Sequence, residues 1–348
     1  MPFARLIQYG LGPIGAGIAE LALQRGHRLI AAVDIDPAKA GRPAAALIPG
    51  APADLVVTAD ATTVLNAGVD LVLHSTQSRL SQVLPQLLPL VDAGLAVIST
   101  CEELAFPWHH HPVEAASLDT LAKSRGVAVV GLGVNPGFVM DLLPVLLTAT
   151  CRDVRQITVE RVVDVDMRRL PLQQKVGTGL SVQEFRRGVA EGRIGHVGLP
   201  QSVAMIAHAL GWTLERIEES IEAVAGSDGV ARGLHQVCRG VHNGVALITL
   251  DLTMASGVDQ PRDTVIIDGT PPIQATITGG IQGDQATGAI VVNAIPVVLA
   301  APPGLLVATQ LPVAPYARHL LREIFHRSSR KVSSDDWRHK TNSARSAG

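Results

Sequence analysis

The chain has 348 residues, a formal net charge of −2 and a hydrophobic content of 47%. This length suits two domains better than a single core. The near-neutral charge provides no basic field of the kind that nucleic-acid binding needs, so we expect no nucleic-acid partner. Three scattered cysteines are too few for a disulfide framework or a zinc site, and we expect no metal.

The amino-terminal sequence predicts a cytoplasmic protein. The first strand pattern begins at residue 4, where the charged and apolar regions of a signal peptide would otherwise lie. The apolar stretches at 71–73 and 291–301 are both too short to cross a membrane. We therefore expect a soluble protein with no membrane partner.

A strand, a glycine-rich turn and a helix follow one another at residues 4–9, 10–15 and 16–22. The turn reads G-x-G-x-x-G in the context typical of dinucleotide-binding folds. Its glycines permit a tight turn, close approach of a pyrophosphate and close helix packing. The amino terminus of the helix presents free N–H groups to the phosphates. We predict cofactor contacts at Gly10, Gly12, Pro13, Ile14 and Gly15.

A second strand pattern at 27–33 ends at Asp34. The carboxylate therefore lies about 20 residues beyond the glycines, where an acidic residue binds the hydroxyl groups of the adenosine ribose. The same carboxylate repels the 2′-phosphate of NADP. We predict NAD as the cofactor, with NADP possible because Lys39 follows closely.

Strand and helix patterns alternate through the first half, with strands at 70–74, 95–99 and 127–131 and helices at 80–93 and 111–125. This alternation predicts an α/β fold with a doubly wound parallel Rossmann sheet. Ligands of such sheets bind at the carboxyl ends of the strands. Residues that follow the strands are therefore predicted cofactor contacts: Ser75, Thr76, Thr100, Cys101, Asn135 and Gly137.

The second half predicts an α+β domain for substrate binding and dimerisation. Its patterns indicate a strand at 154–165 and helices at 137–148, 181–189, 200–210 and 214–224. From residue 245 onward apolar and polar residues alternate, as is typical of half-buried strands in an open, mostly antiparallel sheet. This amphipathic sheet predicts a homodimer.

The predicted domain boundaries divide the chain into four segments. Residues 1–135 form the dinucleotide-binding domain and residues 136–302 the substrate-binding and dimerisation domain. A turn and a helix at 303–326 are expected to return to the first domain and pack on it. Residues 327–348 are polar and charged without apolar periodicity, which predicts a disordered tail.

Glu102 and Glu103 directly follow the strand at 95–99 and are the candidate catalytic residues. Adjacent residues just past a strand point in different directions, so at most one carboxylate is expected to reach the cleft. Among aliphatic side chains its pKa would be raised, which suits a general acid or base. The alternative is a pair of solvated charges in a loop, and the sequence leaves both open.

Four residues are predicted to contact the substrate: Val134, Val139, Met140 and His196. His196 lies between glycines before a helix, so a capping or packing role stays open. Lys175 precedes a glycine-rich turn and could contact phosphate, close the cleft or lie in a surface loop. The consecutive histidines 109–111 cannot all reach one metal ion, which favours a solvated loop or helix start.

Seven segments carry a family resemblance: Gly10–Gly15, Ser99–Leu104, Gly133–Asp141, Gln174–Gly179, Gly195–Leu199, Gly283–Asn293 and Pro303–Leu305. With these segments the chain resembles the dihydrodipicolinate-reductase-like group that contains 2,4-diaminopentanoate dehydrogenases and native NAD(P)-dependent amine dehydrogenases. The resemblance extends over both predicted domains. The chain lacks the His-rich segment with a following Lys that true dihydrodipicolinate reductases carry, so it does not imply their function.

The resemblance implies reversible oxidative deamination of an amine to a ketone or aldehyde and ammonia, with hydride transfer through an iminium. In the opposite direction the reaction is reductive amination. The resemblance further implies that Glu102 or Glu103 holds the amine and moves protons, without distinguishing the two. The expected partners are therefore a small amine or carbonyl substrate and ammonia.

Two alternatives stay open. A 2,4-diaminopentanoate dehydrogenase would act on a diamino acid and would need a clamp for its carboxylate. Arg161, Arg168 and Arg169 are candidates for that clamp, although they are equally compatible with surface charges. A non-catalytic NAD-binding sensor would need neither glutamate.

Overall fold

The computed structural model describes residues 3–166 and 170–316, which form two six-stranded sheets. In chain order the strands are β1 (Arg5–Tyr9), β2 (Arg28–Val33), β3 (Leu71–His74), β4 (Ala96–Ser99), β5 (Ala128–Gly131), β6 (Asp153–Asp164), β7 (Arg216–Ala225), β8 (Ala231–His242), β9 (Val245–Ala255), β10 (Arg262–Thr270), β11 (Ile273–Thr278) and β12 (Gly304–Leu306). The helices are α1 (Pro13–Gln24), α2 (Leu80–Asp92), α3 (Pro112–Arg125), α4 (Leu142–Thr148), α5 (Leu170–Lys175), α6 (Val182–Ala190), α7 (Leu199–Leu210) and α8 (Gly283–Leu299). Across these two ranges, no helix has both the length and the apolar character needed to span a bilayer.

The first sheet is parallel throughout, in the order β12-β5-β4-β3-β1-β2. Its central strands are apolar runs, and every residue of β3 is buried. Such runs occur where both faces of a parallel sheet are covered. Helices α1 and α8 cover one face, and α2 and α3 cover the other. The predicted α/β Rossmann fold is confirmed.

Helix α8 returns the chain to the first sheet. Its residues Val291, Ile295 and Val298 are buried in one cluster with Leu6 and Leu71 of the sheet. The helix also packs along α1. The return therefore begins near residue 283, before the segment at 303–326 that the sequence assigned to it.

The predicted helix after Pro303 is wrong within the described residues. Gly304–Leu306 instead forms β12 and extends the parallel sheet beside β5. The backbone N–H of Leu305 donates to Asp119 Oδ1 over 3.0 Å, and its side chain is buried. The Gly304 N–H also donates to the carbonyl oxygen of Val127 over 3.0 Å, so hydrogen bonds to β5 and its flanking residue hold the segment as an edge strand. The predicted tail lies outside the described residues, and the domain boundaries stay a prediction.

The second sheet has the order β11-β10-β6-β9-β8-β7. Only the β6–β9 pair is parallel; the other pairs are antiparallel. On β9 the buried Ile248, Leu250 and Leu252 alternate with half-buried Thr249 and Asp251, so one face forms a core. The predicted open, mostly antiparallel sheet is confirmed.

The helix predicted at 214–224 is wrong, since these residues form most of strand β7. Ile217 and Ile221 have the four-residue spacing of a helix face, but the same spacing also places both on one face of a strand. Pairing with β8 over the whole length of β7 decides between the two. The helix predicted at 137–148 begins only at Leu142, whose N–H is capped by Asp141 Oδ1.

Candidate functional site

A cavity of about 370 Å³ lies between the carboxyl edge of the first sheet and the inner face of the second. The first sheet contributes the glycine turn and the residues after β3, β4 and β5. The second contributes side chains of β6 and β9. Helix α5, the segment before α7 and the first turns of α8 complete the lining. Most of the predicted site residues line this cavity: Gly12, Pro13, Ile14, Gly15, Ser75, Thr76, Thr100, Glu102, Val134, Asn135 and His196.

The other predicted residues lie off the cavity wall. Val139 and Met140 are completely buried in the core under the second sheet. Gly10, Asp34, Cys101, Gly137 and Glu103 support the wall from behind or lie beyond it. The placement of Val139 and Met140 gives them packing roles, because a side chain in a closed core has no surface to offer a ligand.

The glycine turn forms a cradle for an anion. A Cβ on Gly10 would lie 2.2 Å from the carbonyl oxygen of Ser75, and one on Gly15 would lie 2.0 Å from that of Gly10. A Cβ on Gly12 would meet nothing within 4 Å, so this glycine opens onto the cavity. Gly12 is the N-cap of α1 and no side chain caps the helix. The exposed amino terminus of α1 therefore fits a pyrophosphate.

Asp34 lies at the end of β2, beside the glycine turn. Its Oδ2 accepts from the Leu11 N–H over 2.7 Å and from Lys39 Nζ over 2.9 Å. Burial acts to raise the pKa of Asp34, but hydrogen bonds from Asp36 N, Lys39 and Leu11 N outweigh it and lower the pKa. The residue is therefore an ionised carboxylate close to the phosphate cradle.

Glu102 and Glu103 point in different directions from one 3₁₀ turn after β4. Glu102 lines the cavity, and its Oε1 lies 3.7 Å from Lys175 Nζ. Glu103 Oε2 accepts from the Leu80 N–H over 2.7 Å at the start of α2 and lies 3.0 Å from His111 Nε2. Glu103 thus stabilises a helix terminus and a loop, whereas Glu102 faces the space that a ligand would occupy.

Cys101, between the strand and these glutamates, is buried. Burial raises the pKa of its thiol to about 12, and the neighbouring glutamates add to this effect. The Sγ atom lies 3.2 Å from the carbonyl oxygen of Ser78. The residue is therefore a protonated packing group rather than a nucleophile.

His196 contributes a neutral imidazole to the cavity wall. Its Nε2 atom is shielded from solvent and has no hydrogen-bond partner among the described residues. Burial, followed by the positive charges of Lys175 and Arg161, lowers the pKa of His196 to about 3. A hydrogen bond to the backbone of Asn135 acts in the opposite direction but does not outweigh them, so the ring stays uncharged at neutral pH.

Sequence reasoning missed five residues of the wall: Val163 on β6, Leu252 on β9, Leu172 on α5, and Asp284 and Thr287 on α8. Val163 lies beside Met254 and Arg161 beside Leu252 across the β6–β9 pair, which places all four on one face. The period-two alternation of β9 identifies the apolar face, but nothing in the sequence shows that this face covers the glycine turn.

Arg161 carries a positive charge on that wall, within a buried ion pair. Its Nη1 lies 2.8 Å from Asp263 Oδ1, and its Nη2 donates to the carbonyl oxygen of Ile281 over 2.7 Å. The pair joins β6 and β10 to the segment that leads into α8. Arg168 and Arg169, the other candidates for a carboxylate clamp, lie outside the described residues.

A second buried acid holds the loop after β5 in place. Asp141 is completely buried and accepts from Gly137 N over 2.8 Å, Leu142 N over 2.6 Å and Ser202 Oγ over 2.8 Å. Burial nevertheless raises its pKa. These bonds connect the Asn135–Gly137 loop, the start of α4 and helix α7.

Comparisons with known proteins agree with this geometry. A family model described as the 2,4-diaminopentanoate dehydrogenase C-terminal domain matches residues 138–327. The 2,4-diaminopentanoate dehydrogenase of Acetoanaerobium sticklandii is 32% identical over 340 residues, which cover 90% of this chain and 94% of the relative.

Two solved structures share the fold. The amine dehydrogenase from Mycobacterium smegmatis superimposes with a TM-score of 0.80 at 23% identity, covering 91% of this chain and 98% of that one. The WlbA dehydrogenase from Bordetella pertussis, in complex with NADH and UDP-GlcNAcA, has a TM-score of 0.51 at 15% identity. That match covers 79% of this chain and 74% of the other. At sequence identities of 23% and 15%, these two matches show a shared fold and nothing further.

The two ends of α7 provide a matched test of the wall geometry. Gly198 has φ +115°, and a Cβ there would lie 2.6 Å from Pro136 Cδ and 3.3 Å from Glu102 Cβ. Gly211 has φ +67° and open space around it. We expect Gly198→Ala to lower kcat/KM on the order of 100-fold, because displacement of a reacting group by about 1 Å costs that much.

The control Gly211→Ala should lose about 1 kcal/mol of stability and keep a near-normal rate. Steady-state kinetics give kcat/KM of both variants, and thermal unfolding gives their stability. Equal activity of the two variants would show that Gly198 does not position the wall.

Proposed function

The chain belongs to the 2,4-diaminopentanoate dehydrogenase family, and on that premise we propose that it is an NAD(P)-dependent amine dehydrogenase. It converts an amine to a ketone or aldehyde and ammonia, and in reverse it aminates the carbonyl compound reductively. The observation that carries the proposal is the position of Glu102. Its carboxylate lies on the wall of a cavity that has a phosphate cradle at one side and aliphatic side chains at the other.

The residues of the first sheet fit a nicotinamide dinucleotide. The N–H groups at the start of α1 would hold the pyrophosphate, and Asp34 would bind the adenosine ribose. The residues after β3 and β5, Ser75, Thr76 and Asn135, lie further along the same wall, where they would contact the nicotinamide half. When bound, the cofactor accepts or supplies the hydride.

Glu102 performs the proton transfers of the reaction. It takes a proton from the substrate ammonium and releases it to solvent, so that the nitrogen lone pair is free to form the C=N bond as the hydride leaves carbon. The ionised carboxylate then stabilises the resulting iminium cation by its negative charge. It next takes a proton from the water that adds to the iminium carbon and gives it to the nitrogen of the adduct, which leaves as ammonia while the hydroxyl proton goes to solvent. Each step requires the carboxylate to be within reach of the reacting nitrogen.

The aliphatic part of the remaining wall accepts an apolar substrate group, which displaces water when it binds. Val163, Leu172 and Leu252 form its aliphatic part, and Val134 faces it from the loop after β5. Exclusion of water strengthens the attraction between Glu102 and a cationic nitrogen, since electrostatic interactions grow in a medium of low polarity. We propose that these side chains set the size of the accepted ketone or amine.

One observation favours a diamino acid as a second candidate substrate. Lys175 and Arg161 both line the cavity, and a cation on the wall can bind a substrate carboxylate. Arg161 pairs with Asp263 over 2.8 Å, whereas Lys175 lies 3.7 Å from Glu102, so Lys175 is held less closely and is the better placed of the two. Turnover of 2,4-diaminopentanoate in preference to simple amines would support this substrate, and the reverse preference would exclude it.

The first prediction from this proposed function concerns Glu102. Glu102→Gln keeps the shape of the side chain and removes the base, so kcat should fall at least about 100-fold while NADH still binds. NADH consumption followed by absorbance, with ammonium and a panel of ketones and aldehydes, measures the rate, and fluorescence titration measures NADH binding.

Glu103→Gln is the matched control for Glu102→Gln. It removes the same charge from the neighbouring residue and should lower stability while kcat stays within about fivefold of wild type. A normal rate in Glu102→Gln would exclude the mechanism. Turnover that does not require ammonium would indicate a carbonyl reductase instead.

The second prediction concerns the choice between NADH and NADPH. The ionised carboxylate of Asp34 should repel a 2′-phosphate, so NADH should bind roughly tenfold or more tightly than NADPH. Asp34→Asn should narrow this difference, because Lys39 then remains as the cation nearest to the phosphate. Titration of NADH and of NADPH into wild type and into Asp34→Asn measures the dissociation constants. A wild-type preference for NADPH would contradict the predicted role of Asp34.

The third prediction concerns assembly. We propose a homodimer formed through the face of the second sheet that points away from the cavity, which carries Thr158, Thr249 and Thr253. Thr249 lies on β9, near the centre of the sheet, and Thr249→Arg should convert the dimer to a monomer. Light scattering at micromolar concentration measures the mass, and a monomeric wild type would exclude the interface.

A further inference from the structure

Gln236 is a completely buried polar residue to which the proposed mechanism gives no role. It lies on β8, between Ile221 of β7 and Leu252 of β9 in the sheet register. Leu252 lines the cavity, so Gln236 is one strand away from the wall. A buried amide in an apolar sheet face is costly unless all of its hydrogen-bonding groups find partners.

The amide of Gln236 binds both backbone groups of His196. Its Oε1 accepts from the His196 N–H over 2.8 Å, and its Nε2 donates to the His196 carbonyl oxygen over 2.9 Å. One side chain thus holds the segment as a neighbouring strand would hold it. Its Nε2 also donates to Glu219 Oε1 over 2.8 Å.

Glu219 fixes the orientation of this amide. A carboxylate can only accept a hydrogen bond, so the Nε2 side of Gln236 must face Glu219. Rotation of the amide by half a turn would place two acceptors against each other and lose all three bonds. Glu219 on the edge strand β7 therefore reinforces the orientation that the N–H and carbonyl groups of His196 also require.

The segment that carries His196 needs such support. It lies between Gly195 with φ +139° and Gly198 with φ +115°, backbone conformations that other residues rarely adopt. Beyond the contacts with Gln236, the Gly195 N–H donates to the Lys175 carbonyl oxygen over 3.2 Å. Glycines on both sides make the chain flexible, so the position of the imidazole depends on the amide.

We propose that Gln236, oriented by Glu219, is a positioning residue that holds the imidazole of His196 on the cavity wall, where it contacts the bound substrate. His196 lines the same cavity as Glu102, and its Nε2 is shielded from solvent, so the accessible part of the ring rather than Nε2 meets the ligand. The role in turnover rests on the proposed function, whereas the positioning of the ring does not.

A double-mutant cycle tests whether Gln236 acts through His196. Gln236→Met keeps the length of the side chain and removes the amide, and we expect kcat/KM for ammonium-dependent NADH consumption to fall roughly 30- to 100-fold. NADH affinity should change less than about twofold. In a His196→Ala background the same substitution should cause almost no further loss. Additive losses would mean that Gln236 acts elsewhere and would overturn the proposal.

Two substitutions of Glu219 test whether its oxygen orients the amide of Gln236. Glu219→Gln keeps an oxygen that can accept from Gln236 Nε2 and should retain most of the activity. Glu219→Leu removes the acceptor and should reproduce much of the Gln236→Met defect. Equal behaviour of the two Glu219 variants would contradict an orienting role. A purely structural role of Gln236 would lower stability in Gln236→Met without the selective loss of kcat/KM.

A spectroscopic measurement separates this inference from the proposed function. In protein labelled at histidine with ¹⁵N, the His196 resonance is identified by its absence in His196→Ala. We expect a single sharp signal in wild type and in Glu219→Gln, and a shifted, broadened signal in Gln236→Met. An unchanged signal in Gln236→Met would overturn the positioning role even in an active enzyme. If wild type shows no amine or carbonyl turnover, the proposed function fails and the spectra still decide the positioning.

Discussion

The arrangement of the site depends on one completely buried carboxylate. Asp141 accepts hydrogen bonds from the loop after β5, from the start of α4 and from Ser202 on α7. Removal of this carboxylate from water is unfavourable, and the three donors offset that cost only while all of them remain in place. The loop, α4 and α7 are therefore fixed relative to one another.

The fixed position of α7 also constrains Glu102. Helix α7 begins at Gly198, which packs against Pro136 of the held loop and against the Cβ of Glu102. Glu102 is thus supported by β4 on one side and by the start of α7 on the other. In the proposed mechanism this support reduces the entropy that Glu102 loses when a substrate binds, which favours the reaction rate.

The cavity keeps its charges compensated. Arg161 is paired with Asp263, Glu102 lies near Lys175, and His196 is held neutral by burial and by the two cations. Burial raises the pKa of Asp263, while the charge and hydrogen bond of Arg161 and the Ile281 N–H act to lower it. The cavity therefore combines compensated charges with an aliphatic surface from Val163, Leu172 and Leu252.

The errors of sequence interpretation have a common physical origin. Ile217 and Ile221 fit a helix or a strand equally well, and only the pairing with β8 makes the segment a strand. Gly304–Leu306 is too short to show a period and becomes a strand because β5 offers it an open edge. Val139 was expected at the substrate but lies in the core. In each case the deciding partner is distant in sequence.

The sequence by itself determined the Rossmann fold, the glycine turn, the acidic residue after β2 and the polar residues at the strand ends. These features follow from local periodicity and from backbone conformations that only glycine adopts easily. It also limited the catalytic candidates to Glu102 and Glu103, because they are adjacent and follow one strand. Only the tertiary structure decided which of them faces the cavity, and only it brought Lys175, His196, Leu252 and Gln236 to that place. Contacts between two sheets depend on packing over long sequence separations, and such packing has no local signature.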